Sequence, residues 1–140
     1  MVYSHGGGFT TGSAASVLQD GANLARQNDV VVVQTNHRLG LLGFLYLDDI
    51  AGPEYQGSGC NGVRDIAAAL RWISNNIGAF GGDPGNVMIF GESGGGAKTS
   101  CLYAMPEAAP YFHKASIESG PGIRMTRTQE AHETLSLIHI

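Results

Sequence analysis

Val63, Ile66, Leu70, Ile73 and Ile77 recur at spacings of three and four, which puts all five on one stripe of a helix. Arg64 and Arg71 fall off that stripe, so the pattern predicts an amphipathic helix over residues 63–77. Trp72 lies beside the stripe and is expected in the core. A different pattern occupies Val30 to Val33, where four consecutive valines would be apolar on both faces of a strand, as in a sheet covered by helices on each side. Similar short apolar runs predict strands over residues 1–4, 30–36, 86–90 and 114–118, with further helices over 21–27 and 94–105. Strands and helices alternate, which argues for an α/β fold built on a mostly parallel sheet with helices on both faces. Gly81-Gly82-Asp83-Pro84 breaks the chain before the third strand. No internal repeat, linker or domain boundary interrupts the pattern.

The junction of the third strand and the following helix carries Gly91-Glu92-Ser93-Gly94-Gly95, a G-x-S-x-G sequence. A strand that turns sharply into a helix holds such a serine with its hydroxyl exposed, and small flanking residues let the backbone double back. The spacing marks Ser93 as a nucleophile. Upstream, His5-Gly6-Gly7-Gly8-Phe9 can bend so that successive N–H groups point into one pocket. Acyl transfer passes through a tetrahedral oxyanion, and fixed backbone donors lower its energy. Gly7 and Gly8 are the expected donors, with Gly94, the residue after the nucleophile, as a third. His5 is expected to fix the loop's shape and not to transfer protons.

Two competing readings fail on spacing. GESGGGAKT at 91–99 comes close to a phosphate-binding loop, but Ala97 intervenes between Gly96 and Lys98, turning the lysine about 100° from where phosphate would need it. Ser93, Glu118 and His132 follow a hydrolase order, yet Glu118 closes the next strand and His132 comes too soon after it for the necessary crossovers. His113, just before a strand, is expected to be structural, and Asp65 is open to a buried structural role.

These residues together resemble the type-B carboxylesterases, the serine esterases that include cholinesterases and bacterial para-nitrobenzyl esterases. The resemblance rests on HGGGF at 5–9, VVVVQTNHRLGLLGFL at 30–45, GVRDIAAALRWISNNIGAFGGDP at 62–84, GESGG at 91–95 and HKASIESG at 113–120. It departs at His37, where that family usually carries Tyr, and at Cys60-Asn61, where Gly-Asn is more usual. It implies an α/β-hydrolase fold, a small-molecule carboxylic ester as substrate, and an acyl-enzyme on Ser93. Since such proteins run to several hundred residues, residues 1–134 are expected to be the central part of one domain, inactive alone, with the acid and histidine of the triad elsewhere. Residues 135–140, LSLIHI, are similar to a translated sequencing-adapter end and are read as a non-native tail, the alternative being a native amphipathic strand. For Glu92 two readings stand open: a buried carboxylate that orients the catalytic histidine, as the resemblance implies, or an acid satisfying helix N-terminal amides. The rival function is a non-catalytic, cholinesterase-like adhesion or scaffold domain.

Composition narrows the classes further. At 140 residues, 43% hydrophobic and 14% charged, the chain suits one small globular core. A formal net charge of −4 makes no electrostatic case for nucleic acid. No apolar run approaches a membrane span. Cys60 and Cys101 set no disulfide framework, and the scattered histidines make no metal-ligand spacing, so neither metal nor cofactor is implied.

Overall fold

The computed structural model describes residues 1–121 and 126–138. Four strands, β1 (Val2–Ser4), β2 (Val33–Thr35), β3 (Met88–Glu92) and β4 (Lys114–Glu118), form one parallel sheet in the order β2-β1-β3-β4. In register, Val2 pairs with Val33 on one side and Ile89 on the other, while Glu92 pairs with Glu118. Five helices accompany them: α1 (Ala22–Asn28), α2 (Gly40–Phe44), α3 (Asn61–Asn76), α4 (Gly94–Ala104) and α5 (Thr128–Ile138). Parallel neighbours require crossovers, and α3 and α4 supply them on either side of β3.

The predicted stripe is the core. Val63, Ile66, Leu70, Ile73 and Ile77 are all buried, and they close over Val2, Val87 and Ile89 of the sheet and Leu102 of α4. On the opposite face, Gly21 at the start of α1 packs on Val32, whose neighbours Val31 and Val33 turn toward the α3 side.

Several expectations need correction. Trp72 is 51% exposed and lies against Phe80, with ring centroids 6.0 Å apart. Two positions beyond Leu70, it sits about 200° round the helix, on the face away from the sheet. The valine run is ladder-paired only from Val33, because β1 offers three residues to pair with, and Val30 to Val32 are only half-buried. Strand β3 runs two residues further than the apolar run suggests, to Glu92, since β4 pairs with it there. Helices α2 and α5 were not anticipated. Of the segment read as a non-native tail, residues 135–138 continue α5, with Leu135 buried, and residues 139 and 140 lie outside those described; a helical placement does not by itself decide that reading.

Candidate active site

Ser93 is the single residue between β3 and α4. It holds φ 56° and ψ −122°, a conformation that side chains avoid and that costs on the order of 1–3 kcal/mol. Its surroundings impose that shape. The Ser93 N–H donates to the Glu118 carbonyl at 2.9 Å, and its own carbonyl accepts from the Ala97 N–H at 3.0 Å. The backbone can double back because nothing stands in the way: a Cβ on Gly95 would run into the Ser4 carbonyl, and one on Gly91 would lie 2.5 Å from the Gly95 carbonyl carbon. The end of β1 is thereby pressed against the elbow, and the Ser93 side chain stays exposed.

The loop leaving β1 is fixed by its carbonyls. The Gly6 carbonyl accepts from His5 Nδ1 at 2.8 Å, which assigns the proton to that nitrogen. The Gly7 carbonyl takes the Thr11 N–H at 3.1 Å and the Thr11 hydroxyl at 3.2 Å, and the Gly8 carbonyl takes Lys98 Nζ at 3.0 Å. In a trans peptide the N–H points opposite the carbonyl. Holding the carbonyls of Gly6 and Gly7 from behind therefore turns the N–H groups of Gly7 and Gly8 the other way, and neither donates to any described residue. Gly7 and Gly8 have φ of 86° and 63°, so this chain of peptides needs glycine. Gly8 lies so close to Gly94 that a Cβ on the latter would overlap the Gly8 nitrogen. A Cβ on Gly6 would lie 3.7 Å from Ser93 Cβ. Ser93, Gly7, Gly8 and Gly94, from two stretches of sequence about 85 residues apart, thus converge, with the first-turn N–H groups of α4 lacking partners within the helix.

Beneath this loop lie three basic side chains. His5 is 1% exposed and stacks on His37, with ring centroids 4.5 Å apart and planes 18° from parallel. Burial, reinforced for His37 by the charge of Lys98, lowers both imidazoles, His37 to about 4, so both are neutral at ordinary pH. His5 Nε2 and both His37 ring nitrogens have no hydrogen-bond partner among the described residues. Lys98 is fully enclosed, and desolvation pulls its ammonium down to about 8. Next to this cluster, Arg38 donates to Asp65 of α3 through its backbone N–H, Nε and a terminal nitrogen at 2.9, 2.8 and 2.6 Å.

The other singled-out residues are placed as follows. Glu92 is exposed, so the burial that one of its readings invoked is not seen within this chain. Glu118 accepts from the Ser116 hydroxyl at 2.9 Å, and His132 pairs with Asp49 at 3.0 Å. His113 accepts the Val87 N–H at its Nδ1, an arrangement internal to the sheet edge. Among the described residues, no group of three or more His, Cys, Asp or Glu could hold a metal ion, and no helix is long and apolar enough to cross a membrane. Sequence reasoning missed the roles of Thr11 and Lys98. For Lys98 a signal existed: it is four residues from both Gly94 and Leu102, on the buried face of α4.

Comparison with known proteins shows the family. The model of the carboxylesterase family matches residues 1–137. The chain belongs to the carboxylesterase family. It is 45% identical over its full length to the para-nitrobenzyl esterase of Bacillus subtilis, covering 28% of that protein. Cholinesterase 1 of Branchiostoma lanceolatum is 43% identical over 88% of the chain and 33% of its own length. Among solved structures, a carboxylesterase of Geobacillus stearothermophilus superposes with a TM-score of 0.80 at 47% identity, over 81% of this carboxylesterase chain and 25% of that one. The fold is therefore that of the α/β-hydrolases. The chain spans about a third or less of the length of the curated relatives it matches. Their esterase names do not favour an adhesion domain.

Proposed function

We propose that this chain is the nucleophile and oxyanion segment of a serine carboxylesterase of type B. The observation that carries the reading is Ser93, held at φ 56° against a loop whose carbonyls are all fastened on the far side. In the whole enzyme Ser93 Oγ attacks the ester carbonyl carbon as a histidine from outside this chain takes its proton. The carbonyl oxygen becomes an oxyanion met by the N–H groups of Gly7, Gly8 and Gly94. Collapse expels the alcohol and leaves an acyl-enzyme, which water then cleaves by the same route. His5 supports this by holding the Gly6 carbonyl. Glu92, on the rim beside the nucleophile, is placed to meet the parts of the protein that bring the histidine. A Cβ on Gly8 would meet nothing within 4 Å, which supports an open space over the loop able to take a bulky alcohol group.

The test is covalent labelling of the full-length esterase. A fluorophosphonate probe is expected at Ser93 in one-to-one ratio, and Ser93→Ala should lose the label together with at least about 10⁴-fold in turnover of para-nitrophenyl acetate. Residues 1–140 alone, lacking the base, should give no saturable turnover. Labelling at Ser116 or Ser119, or saturable hydrolysis by the isolated chain, would sink the assignment.

A further inference from the structure

Lys98 is the bulkiest completely enclosed side chain among the described residues, and it is a cation. Enclosing an unpaired ammonium is costly, so proteins seldom do it without a carboxylate partner. Among the described residues, none pairs with this one. What surrounds Nζ is the Gly8 carbonyl at 3.0 Å and the Phe9 ring, whose centroid is 6.0 Å away at the limit of a cation–π contact. The charged or titratable groups that act on or with it are His5 and His37, from the ends of β1 and β2. Leu102, one turn further along α4, shows that hydrocarbon fits the same face. The lysine is therefore not needed to fill space. Its polar end reaches ninety residues back along the chain to the loop.

We propose that Lys98 is a positioning residue of the oxyanion loop, its ammonium clamping the Gly8 carbonyl so that Gly8 stays seated against Gly94 and its N–H, already turned by the Gly7 carbonyl, stays near the nucleophile. This rests on the esterase reading above. Of the three glycine carbonyls in the loop, two are held by local partners, His5 and Thr11. Gly8, which touches Gly94, is held only by the nucleophile helix itself. The same helix that starts at the nucleophile thus sets the loop opposite it, and the two halves of the site move as one piece. An ammonium makes this bond charge-assisted, and loss of its proton leaves a weaker amine donor. His5 and His37 are both lowered, so they remain neutral where Lys98 titrates, and the Phe9 ring carries no proton to lose. The Cys101 thiol, one turn along α4, is raised above its ordinary value by burial.

The experiment compares the full-length esterase with Lys98→Met and Lys98→Arg, measuring kcat and KM separately for para-nitrophenyl acetate from about pH 6 to 9.5. Lys98→Met should lower kcat about 10- to 100-fold, the scale of a small misplacement of a catalytic group. KM should stay within about threefold, and Lys98→Arg should recover most of the loss. Wild-type kcat should decline on an alkaline limb near pH 8, and Lys98→Met should lack that limb. A thermal melt and fluorophosphonate labelling establish that each variant is folded. If Lys98→Met does not fold, the wild-type profile decides, and a kcat flat to pH 9 overturns the clamp. A folded Lys98→Met with kcat within twofold of wild type, or with the change in KM alone, also overturns it while leaving the esterase reading intact. A wild-type protein without esterase activity sinks both.

Discussion

Helices α3 and α4 border the same core and are built on opposite plans. The sixteen residues of α3 bury Gly62 at its first turn and then Val63, Ile66, Ala67, Leu70 and Ile73, and expose Arg64, Arg71 and Trp72. The eleven residues of α4 bury Gly94, Gly95, Gly96, Lys98, Thr99 and Leu102, among which only Leu102 is a large apolar side chain. One helix buries hydrocarbon, which stabilises by about 25 cal/mol per Å² removed from water. The other buries its own backbone, so that β1, the oxyanion loop and the nucleophile can touch. That closeness has a cost, since each glycine disfavours a helix by about 1 kcal/mol relative to alanine. Thr99 and Ser100 return their hydroxyls to the Gly95 and Gly96 carbonyls at 2.9 and 3.1 Å and steady this weak first turn. Through Leu102, α4 joins the cluster that α3 dominates. The site's precision thus depends on stability supplied next door.

If the plans differ in this way, adding a methyl group should be disastrous in α4 and removing methyls should be disastrous only for stability in α3. Gly95→Ala should have the largest effect. Its Cβ would overlap the Ser4 carbonyl and lie 3.1 Å from the His5 carbonyl carbon, forcing β1 and the loop it carries away from Ser93. In the full-length esterase kcat should fall at least 10²- to 10³-fold, about 3–4 kcal/mol, the scale of losing one oxyanion donor. A variant with near-normal kcat would show that the elbow tolerates slack.

Leu70→Ala should come next, and in a different quantity. Leu70 is 0% exposed at the centre of the α3 stripe, and truncation there should cost about 3 kcal/mol of stability, read as a fall in the denaturation midpoint. At temperatures where the protein remains folded, kcat should change less than about threefold. A loss of kcat rivalling that of Gly95→Ala would erase the division between the two helices.

That division also explains what was legible in the sequence. The stripe of α3 is written in side chains, and periodicity found its large buried residues Val63, Ile66, Leu70 and Ile73, with Ile77 just past its end, but not the small Gly62 and Ala67. Ser93 and its glycines were legible because a strained turn restricts residue type so tightly. Trp72 misled because residue type alone suggests burial, whereas its angle on the helix decides. The short reach of β2 was hidden because a strand is paired only where its neighbour offers backbone, and β1 stops at three residues. Lys98 was read only as a failed phosphate ligand. The carbonyl that its ammonium bonds lies ninety residues away, and nothing local in GGGAKTS names Gly8 as that partner.

The smallest effect should come from the polar seam between the two plans, where Asp65 on α3 fastens Arg38, the residue after His37. Asp65→Asn keeps one carbonyl oxygen, which at the Oδ2 position retains two of Arg38's three bonds, and the Arg38 side chain is half-exposed, so stability should fall only slightly. The Arg38 hydrogen bonds hold the Asp65 carboxyl below its ordinary 3.8, with burial working against them. A depressed carboxylate contributes stability that is fully present above its unfolded value and lost as pH falls through its folded one. The gap in melting temperature between wild type and Asp65→Asn should therefore be constant from about pH 8 to 5, narrow below about pH 4, and close once Asp65 is protonated. Turnover at neutral pH should be unchanged, because the seam reaches the oxyanion loop through the His37–His5 stack and through the Gly40 N–H on the Phe9 carbonyl at 2.8 Å, and Asp65 itself bonds to neither. A gap that persists into acid would mean that Asp65 acts by shape and not by charge. A drop in kcat approaching that of Gly95→Ala would mean that α3 positions the loop as directly as α4 does, and the contrast between a helix for stability and a helix for chemistry would not hold.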